Sequence, residues 1–307
     1  MSEPTSRPTP LRVAVTGSSG LIGSELVRRL EAEGHTPLRM VRRPPSGAGE
    51  IEWNPDARRT DAAALEGVDA VVNLAGENVG ERWTSERKQR IRASRVDATK
   101  WLAETLAGLS RPPRVLVNAS AVGIYGDRGD ERLDEMSSHG DDFLARVVMD
   151  WEAATEAARA AGIRVVLPRL GVVLSTRGGA LAKMLPPFRL GAGGTMGSGR
   201  QWMSWISLDD VVDLLMRALT DEAMAGPVNA VAGSVTNAEF TRTLGRVLGR
   251  PTLLTVPTFA LNMAFGEMAR WTVLVSQRVE QRRLMQMRYS FRHPELEGAL
   301  RATLAEG

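Results

Sequence analysis

The chain has 307 residues, is 43% hydrophobic and carries a formal net charge of +3, which suits one large α/β domain or two lobes that share a cleft. It contains no cysteine, which excludes disulfides, a thiolate nucleophile and zinc–cysteine sites and fits a cytoplasmic protein. Because His35, His139 and His293 are far apart, we expect neither a metal site nor a Ser-His-Asp triad.

The first segment, residues 1–10, contains three prolines and predicts a disordered lead without the apolar core of a signal peptide. No apolar run approaches the roughly 18 residues of a membrane span, so no membrane partner is expected. The arginines between Arg278 and Arg292 favour the solvated face of a helix over a nucleic-acid site. The expected partner is a small-molecule substrate, and we also consider a homodimer.

Strands and helices alternate through the first half of the chain. The predicted elements are a strand at 13–15, a helix at 21–33 ended by Gly34, strands at 37–41 and 68–74, a long helix at 86–106, a strand at 115–118, a helix at 143–161 and a strand at 164–169. This order predicts an α/β fold with a doubly wound, parallel Rossmann-type sheet.

The pattern changes after Leu174. The glycines between 178 and 199 predict loops or a hairpin rather than a core helix. A regular segment follows at 205–219, and the chain from Pro251 onward reads as mostly helical. We therefore predict a dinucleotide-binding domain over 11–169 plus about 205–230, and a smaller, mostly helical C-terminal substrate lobe over 170–204 and 231–307.

The turn Gly17-Ser18-Ser19-Gly20-Leu21-Ile22-Gly23 follows a strand and opens a helix. Gly17 permits the tight turn, Gly20 lets the backbone approach a pyrophosphate, and Gly23 lets the helix pack closely on the sheet. The helix N-terminus offers free N–H groups to the phosphates. The alternative is an ordinary strand–helix turn.

The second strand ends in Arg42-Arg43 with no acidic residue. NAD binders place a carboxylate near this point to hold the ribose 2′-hydroxyl, whereas a guanidinium suits a 2′-phosphate. The sequence therefore predicts NADP(H) rather than NAD(H). The alternative is a pair of exposed loop arginines.

The spacing Thr16-Gly17-x-x-Gly20-x-x-Gly23 resembles that of extended short-chain dehydrogenases/reductases, the group of nucleotide-sugar epimerases and dehydratases. The chain is most similar to the epimerase-like subfamily labelled NAD-dependent epimerase/dehydratase and, misleadingly, cell-division inhibitor. The matching segments come in order along nearly the whole chain: 73–77, 94–95, 120–126, 151–152, 169–174, 197–201, 205–210 and 226–230.

This resemblance implies further cofactor contacts. Leu74, Ala75 and Gly76 are expected beside the central part of the cofactor, Arg95 facing the pocket, and Val173 near the nicotinamide. For Leu74 and Val173 the alternative is core packing, which is compatible with a cofactor contact. We also expect Gln201, Trp202 and Trp205 near the substrate cleft; for the two tryptophans the alternative is burial in the core.

The chain departs from the family at its catalytic positions. Active relatives use Tyr-x-x-x-Lys, with a hydroxyl residue in the strand before it and a glutamate four residues after the lysine. Aligning that glutamate on Glu152 puts Val148 at the lysine and Leu144 at the tyrosine position. Counting back four residues from Tyr125 puts Ala121 at the hydroxyl position. A slip of one residue would recover Ser120, but there is no lysine between Lys100 and Lys183.

Candidate substitutes for the missing groups are Glu77 and Tyr125, which could transfer a proton, and Ser120, which could bond a carbonyl. The alternatives are a capping or ion-paired carboxylate for Glu77 and a packed turn aromatic for Tyr125. Two functions stay open. One is an NADP(H)-dependent epimerase or reductase acting on an unidentified small carbonyl or hydroxyl compound. The other is a non-catalytic NADP(H)-binding redox sensor or partner-binding protein.

Overall fold

The computed structural model describes residues 9–305, so most of the predicted lead 1–10 lies outside the described residues. Within that range the chain forms sixteen strands. In chain order they are β1 Arg12–Thr16, β2 Thr36–Val41, β3 Glu50–Asn54, β4 Arg59–Thr60, β5 Ala70–Asn73, β6 Val115–Asn118, β7 Ser120–Ala121, β8 Arg132–Leu133, β9 Arg164–Leu170, β10 Val172–Leu174, β11 Gly194–Met196, β12 Trp202–Ser207, β13 Gly226–Ala230, β14 Gly233–Thr236, β15 Leu254–Val256 and β16 Arg278–Val279.

Twelve α-helices connect these strands in the same range: α1 Leu21–Ala32, α2 Ala62–Leu65, α3 Ser85–Ala93, α4 Val96–Ala107, α5 Phe143–Ala153, α6 Glu156–Ala160, α7 Gly179–Arg189, α8 Leu208–Thr220, α9 Asn237–Leu248, α10 Thr258–Phe265, α11 Arg282–Gln286 and α12 Leu296–Ala305. A 3₁₀-helix spans Val122–Tyr125, and a π-helical turn spans Ala269–Val273. No helix in the described part of the chain is both long and apolar enough to cross a bilayer.

The largest sheet has the strand order β4-β3-β2-β1-β5-β6-β9-β13. All neighbours along it are parallel except β3 and β4. Strand β7 pairs with β9 beyond the point where β6 ends. The order reverses beside β1, so a crevice opens between the carboxyl ends of β1 and β5. Ligands of open α/β sheets bind at such a switch point. The predicted fold class is confirmed.

Alternation along the strands divides the core between the two faces of this sheet. Val13 and Val15 of β1 belong to a cluster that includes residues of α1 and α8. Ala14, between them, belongs to the opposite cluster with residues of α4. Successive strand side chains point to opposite faces, so a strand that is apolar throughout requires helices on both sides.

Two helices predicted as continuous are broken, which corrects the predicted spans 86–106 and 143–161. The first break lies between α3 and α4 at Ser94, whose hydroxyl accepts from the Glu77 amide and donates to the Ile91 carbonyl. The second lies between α5 and α6 at Thr155, whose hydroxyl donates to the Glu152 carbonyl at 2.7 Å. Short polar side chains compete for backbone groups in this way.

The glycine-dense stretch also differs from its prediction, because it contains helix α7 with Leu181, Leu185 and Phe188 buried. Its glycines flank the helix: Gly178 is the N-cap residue and Gly191, with φ of +74°, follows the end. Of the segment 205–230, β13 joins the main sheet, whereas β12 pairs with β10 and β14 in a separate three-stranded sheet. From Pro251 onward short helices alternate with the brief strands β15 and β16.

Candidate functional site

The glycine turn has the geometry of a phosphate cradle. Gly17 has φ of +63°, and a Cβ on it would lie 2.9 Å from the Leu74 carbonyl carbon. A side chain on Gly23 would collide with the backbone of Gly17, whereas one on Gly20 would meet only the Gly17 carbonyl, at 3.2 Å. The turn thus needs Gly17 for its conformation and Gly23 for the packing of α1, whereas Gly20 is crowded by a single carbonyl oxygen and lines the cavities on either side of the turn.

The N-terminus of α1 is free to receive an anion. Gly20 is its N-cap residue, no side chain caps the helix, and its first turn holds no acidic residue. The first N–H groups of a helix lack intrahelical partners and lie at the positive end of the helix dipole. Together with the glycine geometry, this arrangement suits a pyrophosphate.

A buried polar network shapes the loop opposite this turn. The Thr16 hydroxyl donates to Asn73 Oδ1 at 2.6 Å and accepts from the Leu74 and Ala75 amides. The Asn73 amide in turn donates to Thr99 and Asn118, at 2.9 and 2.6 Å. The ends of β1, β5 and β6 are therefore held in one register, and the loop 74–76 is fixed against the glycine turn.

Two adjoining cavities follow the carboxyl edge of the sheet. The central cavity, of about 710 Å³, is lined by eleven of the predicted site residues: Gly17, Gly20, Leu21, Ile22, Gly23, Leu74, Gly76, Glu77, Arg95, Ser120 and Val173. The arginine pocket, of about 660 Å³, is lined by Ser18, Ser19, Ala75, Arg42 and Arg43 and shares the glycine turn with it. Tyr125 lines neither cavity.

The two arginines at the end of β2 differ in their partners. Arg43 donates to both carboxylate oxygens of Glu50, at 2.8 and 2.6 Å. This contact, with Ser46, lowers the pKa of Glu50 to about 2. The nearest carboxylate to Arg42, that of Asp56, is 3.7 Å away, and 61% of the Arg42 side chain is exposed. Arg42 is therefore the more available guanidinium in the arginine pocket.

Arg95 presents a half-buried cation to the central cavity. Its guanidinium lies 5.3 Å from the centroid of the Trp151 ring and donates to the Glu77 carbonyl at 3.0 Å. Burial lowers the pKa of Arg95 to about 10, opposed by the Glu77 charge. A cation that is partly desolvated and aimed into a cavity favours an anionic or electron-rich ligand there.

Ser120, in β7, lines the central cavity and carries a hydroxyl. Its Oγ donates to Glu152 Oε1 at 2.5 Å. Arg169 holds the same carboxylate through two bonds, Nε to Oε1 at 2.8 Å and Nη2 to Oε2 at 2.9 Å. Ser120 thus joins the cavity to a buried ion pair.

The other two candidates have different environments. The Glu77 carboxylate lines the central cavity in an ion pair with Arg87 at 3.2 Å. Tyr125 is fully buried, and its hydroxyl donates to Asn229 at 2.7 Å and accepts from Arg169. Burial raises the pKa of Tyr125. The tyrosine therefore lies in the core, where both hydrogen-bonding functions of its hydroxyl are used.

The positions aligned with the family's catalytic residues all face the central cavity. Leu144, Val148 and Ala121 line it directly. The chain has only two tyrosines, and the second, Tyr289, packs edge-to-face on Phe291 away from the cavity. No tyrosine lines the central cavity in the part of the chain that the structure describes.

Two functional groups escaped the sequence analysis. Glu152 served there only to align the chain, although its carboxylate accepts the hydrogen bond of the Ser120 hydroxyl. Lys183, on α7, lines the central cavity and donates to the Gly80 carbonyl at 2.7 Å. The lysine-free interval before Lys183 was its only sequence signal. Of the aromatic residues expected at the cleft, Trp202 lines a neighbouring cavity and Trp205 is buried in the core.

Comparison with known proteins gives two matching family models. Residues 13–232 match the NAD dependent epimerase/dehydratase family. Residues 256–303 match a domain of unknown function, DUF1731. The first model covers the sheet, the glycine turn and the loops around the central cavity.

Similar proteins extend over almost the whole chain. An epimerase family protein of Mycobacterium bovis is 47% identical over 290 residues, covering 94% of this chain and 96% of the relative. The crystal structure of the human epimerase family protein SDR39U1 with NADPH superimposes with a TM-score of 0.88 at 36% identity, covering 97% of this chain and 100% of that one.

A nucleoside-diphosphate sugar epimerase from Corynebacterium glutamicum gives a TM-score of 0.80 at 40% identity, over 97% of this chain and 59% of that one. The first family model and these relatives cover the segments that carry the glycine turn and the altered catalytic positions. The chain therefore belongs to the NAD-dependent epimerase/dehydratase family.

Proposed function

We propose that this chain binds NADP(H) and transfers a hydride to or from a small carbonyl or hydroxyl compound, with Ser120 and Glu152 in place of the usual tyrosine and lysine. The observation that carries the proposal is the continuous pair of cavities from Arg42, past the glycine turn, to Ser120. The NADPH in the human SDR39U1 structure supports the choice of cofactor.

The cofactor contacts follow from the cavity walls. The N–H groups at the start of α1 would receive the pyrophosphate, and Arg42 the 2′-phosphate. Glu50 also lines the arginine pocket, but its pairing with Arg43 offsets the repulsion that its charge would exert on a phosphate. Bound NADPH supplies a hydride for a carbonyl carbon, and bound NADP⁺ accepts one from an alcohol carbon.

In this proposal Ser120 transfers the proton of the substrate hydroxyl. Because its own hydrogen is donated to Glu152, the Ser120 oxygen is ready to accept the proton of a substrate alcohol. Its hydrogen would then pass to Glu152 as the hydride leaves the carbon. The reverse relay would protonate the oxygen of a reduced carbonyl. Arg169 keeps the Glu152 carboxylate oriented through its two bonds.

Replacing the hydroxyl tests this relay. Ser120→Ala should lower kcat about 10²–10⁴-fold, the usual contribution of general acid–base groups, while NADPH affinity stays within twofold. NADPH oxidation and calorimetric NADPH titration measure the two quantities. Thr105→Ala is a suitable control because that hydroxyl bonds within α4. Unchanged turnover in Ser120→Ala would reject the relay.

A second function is favoured by the aliphatic residues Leu144 and Val148 in the cavity wall. Without a phenol and an ammonium there, a non-catalytic NADPH-binding sensor or partner-binding protein is the alternative. On either view we expect slow or no turnover of UDP-sugars and short aldehydes or ketones. Tight NADPH binding with no turnover of any carbonyl compound would favour the sensor, whereas rapid turnover of UDP-sugars would contradict both views.

A further inference from the structure

A third cavity, which we call the apolar chamber, adjoins the central cavity. It has a volume of about 340 Å³ and meets the central cavity at Ala180 and Lys183 of α7, which line both. Its other walls include β12, the segment 192–196 that contains β11, and the C-terminal segment 256–277. Methionine and other apolar side chains dominate these walls: Met184, Met196, Met203, Met268, Phe188, Leu261, Phe265, Val273 and Val275.

The polar side chains of the chamber are committed to protein partners. Ser204 donates to the Gln277 carbonyl at 2.7 Å, and Thr272 donates to the Met268 carbonyl at 2.8 Å. The Gln277 amide donates to the Gly126 carbonyl, and the Trp202 indole donates to Asp130 at 2.8 Å. Within the described residues no carboxylate or arginine lines the chamber, and its one cation, Lys183, lies at the junction.

The outer wall of the chamber is apolar on both sides. Helix α10 directs Leu261 inward, where it is 5% exposed, while Phe259 and Met263 on the same helix are 69% and 70% exposed. No charged residue occurs from Pro251 to Gly266. A wall of this composition places no charge in the path of an apolar compound.

We propose that the apolar chamber binds the hydrocarbon body of an uncharged ketone or alcohol, whose oxygen-bearing end extends past Ala180 and Lys183 toward Ser120. The proposal rests on the proposed function and names the substrate class of that site. This substrate class excludes a sugar nucleotide from the apolar chamber. The hydroxyls of a sugar would be buried there without hydrogen-bond partners, and a diphosphate would face only one cation.

The test is calorimetric titration of the chain with 2-alkanones of increasing length, in the absence of NADPH. Affinity should rise about fourfold with each methylene, which follows from 0.8 kcal/mol per buried CH₂, and should level off once the chamber is full. UDP-glucose should neither bind nor displace the ketones. An affinity independent of chain length, or displacement of the ketones by UDP-glucose, would overturn the proposal.

Matched variants on α10 locate the binding. Phe265 lines the chamber and is 42% exposed, whereas Phe259 does not line it. Phe265→Asp should lower the affinity for the longest ketone about tenfold or more, because a carboxylate in an apolar wall must be desolvated. Phe259→Asp should leave that affinity within twofold. Equal losses in both variants, with far-UV circular dichroism and NADPH affinity unchanged, would contradict this placement.

Two failures are distinguishable. Chain-length-dependent binding without NADPH oxidation would keep the apolar chamber and reject the enzymatic function. NADPH oxidation by ketones whose affinity does not depend on chain length would keep the enzymatic function and reject the chamber as the substrate site.

Discussion

Arg42 and Arg43 are neighbours in sequence, but only the Arg42 guanidinium is free of a close carboxylate contact. Arg43 is bonded to both oxygens of Glu50, and Arg42 lies 3.7 Å from its nearest carboxylate. Because a phosphate competes better for an unengaged guanidinium, the discrimination between NADP(H) and NAD(H) should depend on Arg42.

Arg42→Ala should weaken NADPH binding by about 1–3 kcal/mol, the size of a charge-assisted hydrogen bond, and leave NADH binding nearly unchanged. Calorimetric titration with both cofactors measures the difference. Arg59→Ala serves as control because it removes the same charge from the nearby strand β4, where Arg59 forms an ion pair with Glu52. Equal losses for the two cofactors would show that Arg42 does not contact the 2′-phosphate.

Gly20 and Gly23 should respond differently to the same substitution. Gly20→Ala adds a methyl group that meets only one carbonyl oxygen, at 3.2 Å, so the fold should persist while NADPH binding is lost. Gly23→Ala drives a methyl group into the backbone of Gly17 and should lower the free energy of unfolding by about 1–3 kcal/mol. Urea unfolding and NADPH titration separate the two effects. Wild-type NADPH affinity in Gly20→Ala would mean that the turn is not the phosphate site.

At the level of elements, the sequence predicted most of the sheet because its strands are short apolar runs between clear breaks. It missed the break between α3 and α4, because Ser94 ends the helix through a bond to Glu77, seventeen positions away in sequence. It also missed α7, because Gly178 and Gly191 stand outside the helix that they delimit. Such features depend on tertiary contacts or on the exact helix end, which periodicity does not reveal.

The candidate site shows the same division. The glycine turn, Arg42 and the loop 74–76 were predictable, because each lies at the end of a predicted strand. The partner of Ser120 was not, because Glu152 reaches it from a helix 32 positions later. The environment of Tyr125 depends on Asn229, which lies 104 positions away.

Helix α5 carries two carboxylates that should differ in their contribution to stability. Glu152 pairs with Arg169 in the core, where the side chains are 12% and 3% exposed, and Asp150 pairs with Arg92 at the surface, where they are 49% and 46% exposed. Glu152→Gln should lower the free energy of unfolding by about 3 kcal/mol, because it leaves a buried guanidinium without its counter-charge.

Asp150→Asn on the same helix should change the free energy of unfolding by at most about 1 kcal/mol. Chemical denaturation of both variants gives the comparison. Similar values for the two would show that the Arg169–Glu152 pair contributes no more than an exposed one.

On the scale of the whole molecule, the switch point of the sheet and the C-terminal segment line different cavities. The sheet edge supplies the glycine turn, Arg42 and Ser120, and the segment 256–277 closes the apolar chamber beyond them. Helix α7 joins the two, since Lys183 lines both cavities. The segments matched by the two family models, 13–232 and 256–303, thus both contribute walls to these adjoining cavities.

We expect the methionines of the apolar chamber to make its ligand binding sensitive to oxidants. Four of the chain's thirteen methionines line it, and there is no cysteine to react first. Oxidation to the sulfoxide turns a thioether into a polar group, so peroxide should abolish ketone binding and spare NADPH binding. During peroxide treatment, titrations would measure ketone and NADPH binding, and peptide mass mapping would identify the oxidised methionines. The surface methionines Met136 and Met285 should be modified earlier without effect, and loss of ketone binding should coincide with oxygen incorporation at the chamber, reversible by methionine sulfoxide reductases.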